Sequence, residues 1–239
     1  MSLKNTPPSI PWISGKTPFP NIETALKSPN GLLAVGGNLT RNRLLEAYRK
    51  GIFPWYGDQE PILWWCPNPR MVIFPKKLKV SRSLKKIWRQ KRFTISMDRA
   101  FPMVLENCRL PRKGVRDTWI TNDVANAYNM LHADGYAHSI EIWESDNLVG
   151  GLYGVAIGRA FFGESMFSKQ TNASKIAMMA LAKQLINWGF EVIDCQISSE
   201  HLKTMGGIEI SRQKFALLLA RLVNYPSKLG TWKYDERLE

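Results

Sequence analysis

The sequence predicts an α+β fold built around a mostly antiparallel sheet. Two strands, Ser139–Trp143 and Leu148–Ile157, are separated by a short turn and form a hairpin. A third strand, Arg159–Gly163, follows at once, then a helix over residues 172–188 and a short apolar strand, Glu191–Cys195. Short turns join antiparallel strands, whereas a helix between two strands provides a crossover. The combination predicts a mixed sheet flanked by helices.

The hairpin, helix and strand in this order resemble the fold of the GNAT-type N-acetyltransferases. The phosphate-binding loop of those enzymes, Q/R-x-x-G-x-G/A, is missing here. The corresponding stretch, residues 166–173, reads MFSKQTNA and contains no glycine. Backbone amides are therefore not expected to bind the pyrophosphate of acetyl-CoA at this position.

A small N-terminal domain, residues 1–70, is predicted to precede a larger GNAT-like domain, residues 71–239. Residues 1–20 carry five prolines and indicate an irregular arm. Thr40 is a typical N-cap for a helix over Arg41–Lys50. Residues beyond 226 are predicted to be irregular, and no role is assigned to them.

Aromatic and proline residues crowd the segment from 52 to 75. Two interpretations stay open: a small aromatic core between the domains, or a platform on which nucleobases stack. The aromatic residues of this segment are Phe53, Trp55, Tyr56, Trp64, Trp65 and Phe74.

The charge of the chain indicates an anionic partner. Lys and Arg number 33 against 20 Asp and Glu, which gives a formal net charge of +13. The run from Lys76 to Phe93 contains nine cations and no acid. On a helix, Arg82, Lys86 and Arg89 share one face, and a stripe of one sign favours contact with phosphates.

Several classes of protein are excluded by the sequence. No apolar run reaches 18 residues, so no membrane-spanning helix is predicted. The N-terminus lacks the apolar stretch of a signal peptide. Three scattered histidines and three cysteines without a CxxC pair indicate neither a metal site nor a disulfide framework. We therefore expect a cytoplasmic protein with no metal and no cofactor.

Eleven motifs, in order, resemble the leucyl/phenylalanyl-tRNA–protein transferase family over residues 20–220. They are PNGLLAVGGNL (Pro29–Leu39), GIFPWY (Gly51–Tyr56), PILWWCPNPR (Pro61–Arg70), SRSLKK (Ser81–Lys86), TWIT (Thr118–Thr121), AYNMLHADGYAHSIEIWE (Ala127–Glu144), LVGGLYGVAIG (Leu148–Gly158), FFGESMFS (Phe161–Ser168), NASKIA (Asn172–Ala177), IDCQ (Ile193–Gln196) and HLKTMGG (His201–Gly207).

The resemblance implies a specific activity. Members of this family are cytoplasmic bacterial enzymes that transfer leucine or phenylalanine, and less well methionine, from charged tRNA to the N-terminal Lys or Arg of a protein. The modified protein is then degraded by the N-degron route. The aminoacyl ester is already activated, so no ATP is expected. The implied partners are aminoacyl-tRNA and the acceptor protein, with no membrane, and we expect a monomer.

Asp194 and Gln196 are the first candidate catalytic residues. They lie two apart on a predicted strand, so their side chains should share one face. The resemblance implies a proton relay, in which Asp194 is the base or an orienter and Gln196 contacts the attacking amine or the carbonyl. An ordinary aspartate, with a pKa of about 4, is a poor base for an ammonium. Without the family motif, Asp194 would be interpreted as the cap of a neighbouring loop.

Glu164 is the third candidate. The resemblance places it near the aminoacyl-adenosine, where it would hydrogen-bond the α-amine or a ribose hydroxyl. The alternative is an acid satisfied by Lys169 or Lys175.

Substrate contacts complete the prediction. A pocket that fits Leu, Phe and Met but rejects β-branched side chains discriminates by roughly 1–3 kcal/mol per misplaced group. Its candidate walls, each also interpretable as ordinary core, are Leu152, Phe161, Met166, Leu181, Leu185 and Ile193. The resemblance implies Trp55, Trp119 and Tyr128 at the 3′-adenosine, and Arg82, Lys86 and Arg89 at the acceptor stem.

Two other functions remain open: a CoA-dependent N-acetyltransferase and a non-catalytic RNA-binding module. The missing pyrophosphate loop counts against the first. The second explains the charge and the aromatics but leaves Glu164, Asp194 and Gln196 without a purpose.

Overall fold

A computed structural model describes residues 10–110 and 118–238 and contains two sheets. The smaller sheet has four strands in the order β1-β2-β4-β3. These strands are β1 (Trp12–Ile13), β2 (Leu32–Gly36), β3 (Phe53–Pro54) and β4 (Leu63–Trp65), and helix α1 (Arg41–Arg49) lies between the second and the third along the chain.

The larger sheet has seven strands in the order β11-β5-β10-β9-β8-β7-β6. Its members are β5 (Arg70–Ile73), β6 (Thr94–Met97), β7 (Ala137–Glu144), β8 (Asn147–Ile157), β9 (Ala160–Ser168), β10 (Val192–Gln196) and β11 (Ile208–Ile210). Strands β9 and β10 are parallel, and every other neighbouring pair in this sheet is antiparallel. The predicted α+β class with a mostly antiparallel sheet is confirmed.

Six further helices surround the large sheet. They are α2 (Arg82–Arg89), α3 (Phe101–Arg109), α4 (Asn122–Ala133), α5 (Ala173–Asn187), α6 (Glu200–Thr204) and α7 (Arg212–Leu222). Ser81 caps α2, Thr121 caps α4 and Ser211 caps α7, each accepting a hydrogen bond from the backbone N–H three residues later. Such side chains satisfy amides that the first turn of a helix leaves unpaired.

Two hydrophobic clusters form the core. One contains residues of α1, α3, α4 and α7, and the other contains residues of α2 and α5. The first cluster joins the small sheet to the large one, because Trp64 of β4 and Tyr153 of β8 both belong to it. The division into domains at residue 70 therefore stays a prediction.

The aromatic segment is mostly core. Trp64 is fully buried and packs edge-on against Phe19, with ring centroids 4.9 Å apart, and Phe53 and Tyr56 are also buried. Trp55 is the exception: it is exposed and packs against Trp65. The core interpretation therefore holds for most of the segment.

Strand β9 corrects a prediction. The sequence places its end at Gly163, but the strand continues to Ser168. The long partner strand β8 supplies the pairing, with Ser165 opposite Tyr153 and Ser168 opposite Gly150. Glu164 consequently lies within a strand and not in a loop, at a register shift between the paired residues Gly163 and Ser165.

No helix of the described segments combines the length and the apolar character needed to cross a bilayer.

Candidate active site

A cavity of about 570 Å³ opens beside the ends of β9 and β10. Five of the six predicted wall residues line it, and the helices α5 and α6 contribute further side chains. The five are Leu152, Phe161, Met166, Leu181 and Ile193. The sixth, Leu185, is not among the lining residues: it is fully buried in the cluster of α2 and α5, one turn further along α5 than Leu181.

The predicted adenosine contacts are not brought together as a set. Trp119 lines the cavity. Tyr128 is fully buried and presents its hydroxyl to Glu164. Trp55 directly follows β3 of the small sheet, outside the group of described residues that lines the cavity.

Glu164 lines the cavity and is surrounded by neutral hydrogen-bond donors. Tyr48 Oη donates to Oε1 over 2.8 Å, and Tyr128 Oη donates to Oε2 over 2.8 Å. The two tyrosine hydroxyls also hydrogen-bond each other. Gln196 Nε2 donates to Oε1 over 2.9 Å. Neither Lys169 nor Lys175 is among these partners.

The ionisation of this cluster is shifted. Burial raises the pKa of Glu164 to about 7, with a further increase from the charge of Asp194, while the bonds from Tyr48 and Tyr128 act in the opposite direction. Burial, followed by the charge of Glu164, raises the pKa of both tyrosines well above their usual range. The tyrosines therefore keep their protons, whereas Glu164 gains or loses one near neutral pH.

Asp194 has a different environment. Its carboxylate accepts two bonds from Arg70: Nε donates to Oδ1 over 2.8 Å, and Nη2 donates to Oδ2 over 2.6 Å. Both side chains are buried. The guanidinium lies between the rings of Phe53 and Phe215, 4.8 Å from each centroid. Asp194 is therefore a fixed, charge-paired carboxylate.

Gln196 is held by its backbone. Its N–H donates to Asp194 Oδ1 over 2.9 Å. The pairing of β10 with β5 shifts register between the two residues, and Gln196 has φ of +61°, a conformation uncommon outside glycine. The simple alternation expected for Asp194 and Gln196 is thus interrupted. Non-glycine residues in this region persist where the surrounding structure holds them, often at functional sites.

Two members of the cluster were missed from the sequence. Tyr48 looks like an apolar-face residue of α1, and Arg70 looks like a cation at the end of the PNPR motif. A signal exists for Arg70, since it begins a buried strand, where an arginine requires an acidic partner. Tyr48 offers no comparable signal, because a tyrosine on an apolar helix face is ordinary core.

The basic face of α2 is present as predicted. Leu84 is buried, whereas Arg82, Lys86 and Arg89 are exposed, and none of the three pairs with an acid among the described residues. An exposed stripe of unpaired cations attracts a polyanion.

The geometry points to one class of enzyme. An apolar cavity lined by a titratable acid, to which the amide of Gln196 is hydrogen-bonded, suits transfer of an acyl group between two bound substrates, because positioning and polar contacts to the reacting groups are what that reaction needs.

Comparison with known proteins supports this class. The family model described as leucyl/phenylalanyl-tRNA protein transferase matches residues 72–220, and the model of its N-terminal domain matches residues 37–68. Proteins called leucyl/phenylalanyl-tRNA–protein transferase are similar over nearly their whole length. The one from Nitrosospira multiformis is 54% identical over 95% of this chain and 97% of its own.

Other relatives agree. The protein of that name from Thiobacillus denitrificans is 54% identical over 91% of this chain and 95% of its own, and that from Pseudomonas syringae pv. syringae is 49% identical over 91% and 96%. The chain belongs to the leucyl/phenylalanyl-tRNA–protein transferase family and is an aminoacyltransferase. The family predicted from the motifs is confirmed.

Proposed function

We propose that this enzyme transfers leucine or phenylalanine, and less well methionine, from aminoacyl-tRNA to the N-terminal Lys or Arg of a protein. The product carries a new peptide bond made without the ribosome, which marks the protein for the N-degron route. One observation carries the proposal: Glu164, which lines an apolar cavity, accepts a hydrogen bond from the side-chain amide of Gln196.

The donor side chain occupies the cavity. Its walls of Leu152, Met166 and Leu181 match an apolar side chain that is not branched at Cβ, as in leucine, phenylalanine and methionine. The adenosine at the 3′ end of the tRNA stacks on Trp119 at the cavity wall. Tyr128 acts through Glu164, because its buried hydroxyl already donates to that carboxyl group. Trp55 stays a proposed adenosine contact on the strength of the family resemblance and its exposure.

The reaction joins two substrates. The acceptor's uncharged α-amine attacks the ester carbonyl, the new C–N bond forms, and the C–O bond to the 3′-oxygen of the tRNA breaks. One proton leaves the amine and one reaches the departing 3′-oxygen. Gln196 orients the amine or the carbonyl through its side-chain amide, and Glu164 holds the donor's α-amine or a ribose hydroxyl.

Asp194 serves as an orienter in this scheme. Both of its oxygens accept bonds from Arg70, and Oδ1 also accepts the N–H of Gln196. A carboxylate so occupied, and fully buried, has no open approach for an ammonium group. Asp194 thus fixes the strained backbone of Gln196.

The exposed face of α2 binds the acceptor stem through Arg82, Lys86 and Arg89. The cytoplasmic location and the monomeric state remain predictions.

A transfer assay tests the function. Purified protein is mixed with tRNA charged with radiolabelled leucine and a peptide beginning with Arg, without CoA or ATP, and label in the peptide is measured. Label should enter the Arg-initiated peptide and not a matched peptide beginning with Gly.

The alternatives give different results. Absence of transfer from leucyl-, phenylalanyl- and methionyl-tRNA, with retained tRNA binding, would favour a non-catalytic RNA-binding module. Binding of acetyl-CoA would favour an N-acetyltransferase.

A further inference from the structure

The C-terminal segment from residue 226 to 238 is packed against the large sheet, although it lies outside the region matched by the family model. Ser227 Oγ accepts the backbone N–H of Gly158 over 2.9 Å. Near its other end, the N–H of Asp235 donates to the buried Gln184 over 2.8 Å. A segment predicted to be irregular is thus anchored at both ends.

Trp232 is the buried centre of this segment, with 1% of its surface exposed. Its ring stacks on His138, with centroids 3.6 Å apart and planes 6° from parallel. Its backbone N–H donates to Asp98 Oδ2 over 2.7 Å, and its indole N–H donates to the carbonyl of Lys228 over 3.0 Å. These contacts fix both the position and the rotamer of the ring.

The same ring contacts a wall of the cavity. The centroids of Trp232 and Phe161 are 6.1 Å apart, within the range of interacting aromatic pairs. On another side, the ring of Phe161 lies against Gly154, where an added Cβ would come within 2.6 Å of it. Phe161 lines the cavity and is itself fully buried. Its ring is therefore held between the backbone of Gly154 and the indole of Trp232.

We infer that Trp232 is a positioning residue that sets the size of the aminoacyl cavity, and through it the preference between leucine and phenylalanine. The inference rests on the proposed placement of the donor side chain in this cavity. Protein interiors are close-packed, so a ring supported from behind keeps the cavity shallow. Removing the support lets Phe161 retreat, and the added space favours the larger phenylalanine.

The experiment measures kcat/KM with leucyl-tRNA and phenylalanyl-tRNA on the same preparation of Trp232→Leu. The ratio of the two values cancels the amount of folded enzyme, so a loss of stability alone does not change it. The Phe-to-Leu ratio should rise by about tenfold, the lower end of the effect that one methylene-sized change in a pocket produces. Trp232→Phe, which keeps an aromatic ring, should shift the ratio less and in the same direction.

Trp64→Leu is the matched control. Trp64 is also a buried tryptophan with its indole N–H bonded to a backbone carbonyl, but it lies in the small sheet. It should destabilise the protein and leave the ratio unchanged. An unchanged ratio in both Trp232 variants, or an equal change in Trp64→Leu, would overturn the inference.

A variant of the cavity wall, Leu152→Ala, tests the role of Trp232 separately from the proposal that the donor side chain occupies the cavity. A changed ratio in Leu152→Ala with none in Trp232→Leu would overturn the role of Trp232 alone. If neither variant changes the ratio, the placement of the donor side chain in the cavity is wrong as well.

Discussion

Two carboxylates on neighbouring strands differ in their partners and therefore in their chemistry. Asp194 on β10 is paired with the guanidinium of Arg70. Among the described residues, Glu164 on β9 is hydrogen-bonded to the neutral groups of Tyr48, Tyr128 and Gln196. The charge of a buried acid is stabilised by an opposite charge close by, and its absence favours the protonated form. Asp194 is thus charge-paired, whereas Glu164 titrates near neutrality.

The hydrogen bonds of Glu164 favour the same conclusion. Tyr48, Tyr128 and Glu164 are joined by three mutual hydrogen bonds, yet the two tyrosine hydroxyls supply only two protons. If Glu164 is ionised and accepts a hydrogen bond from each tyrosine, no proton is left for the hydrogen bond between the two tyrosines. A proton on Glu164 gives each of the three bonds one donor. The free enzyme therefore favours neutral Glu164.

The largest effect should come from breaking the charged pair. Arg70→Met leaves Asp194 buried without a counter-charge, which costs about 3–5 kcal/mol of folding free energy. Urea denaturation followed by circular dichroism measures the loss of stability. The control is Arg221→Met, which removes an exposed bidentate partner of Glu191 and should change stability little. A small cost at Arg70 would mean that the pair does not hold Asp194 charged.

Isosteric amides should separate the two acids in activity. Asp194→Asn weakens the hydrogen bonds that hold Gln196, so transfer should fall by about a hundredfold, the cost of a misplaced group. Binding of leucyl-tRNA should stay near normal, because the basic face of α2 is untouched. Glu164→Gln resembles the protonated acid, so its transfer activity should fall by roughly tenfold or less at pH 6. Equal losses in transfer and tRNA binding for Asp194→Asn would contradict its orienting role.

Stability should depend on pH through Glu164. A glutamate in the unfolded chain has a pKa of about 4.3, and burial raises the pKa of Glu164 to about 7. Between these values the folded state holds a proton that the unfolded state has released. The contribution of Glu164 is therefore fully present below about pH 4.3 and is lost as the pH rises through 7, by roughly 3–4 kcal/mol.

Glu164→Gln removes this titration. The unfolding free energies of the wild type and of this variant should therefore diverge between pH 5 and pH 8. Parallel pH profiles would show that Glu164 titrates at an ordinary value.

The smallest effect concerns a surface remote from either acid. Lys86→Gln removes one exposed cation from α2 and should weaken tRNA binding. The slope of log affinity against log salt should decrease in magnitude by about 0.7–0.9 for each phosphate that the variant no longer neutralises. The dependence of the unfolding free energy on pH should not change in this variant. The control is Lys214→Gln, which removes an exposed lysine near the start of α7 and should leave the slope unchanged. An unchanged slope for Lys86→Gln would show that α2 is not part of the tRNA site.

Local sequence signals predicted much of this fold. The serine and threonine caps of α2, α4 and α7 and the central hairpin depend on residues that are close together in the sequence. Features of this kind can be recognised from the sequence. The extent of β9 does not follow, because its pairing is set by the length of β8. The packing of Trp232 depends on His138 and Asp98, both distant in sequence, so the tail could only be predicted as irregular.

The site was predicted in its residues more than in its arrangement. Motifs identified Glu164, Asp194 and Gln196, but the ion pair joins Arg70 to a residue 124 positions away, and the tyrosine hydrogen bond joins Tyr48 to a residue 80 positions away. Such pairings are products of the tertiary fold. They decide which acid is charged, and residue type alone does not.

Infrared difference spectroscopy tests the contrast between the two acids most directly. A protonated carboxyl group has a carbonyl stretch that a carboxylate lacks, and isotope-labelled glutamate identifies the residue type. At pH 6 the wild type should show one buried protonated glutamate that disappears in Glu164→Gln and titrates near pH 7, while Asp194→Asn removes no such signal. A signal absent at pH 6, or one that disappears in Asp194→Asn, would contradict the assignment of a neutral Glu164 beside a charged Asp194.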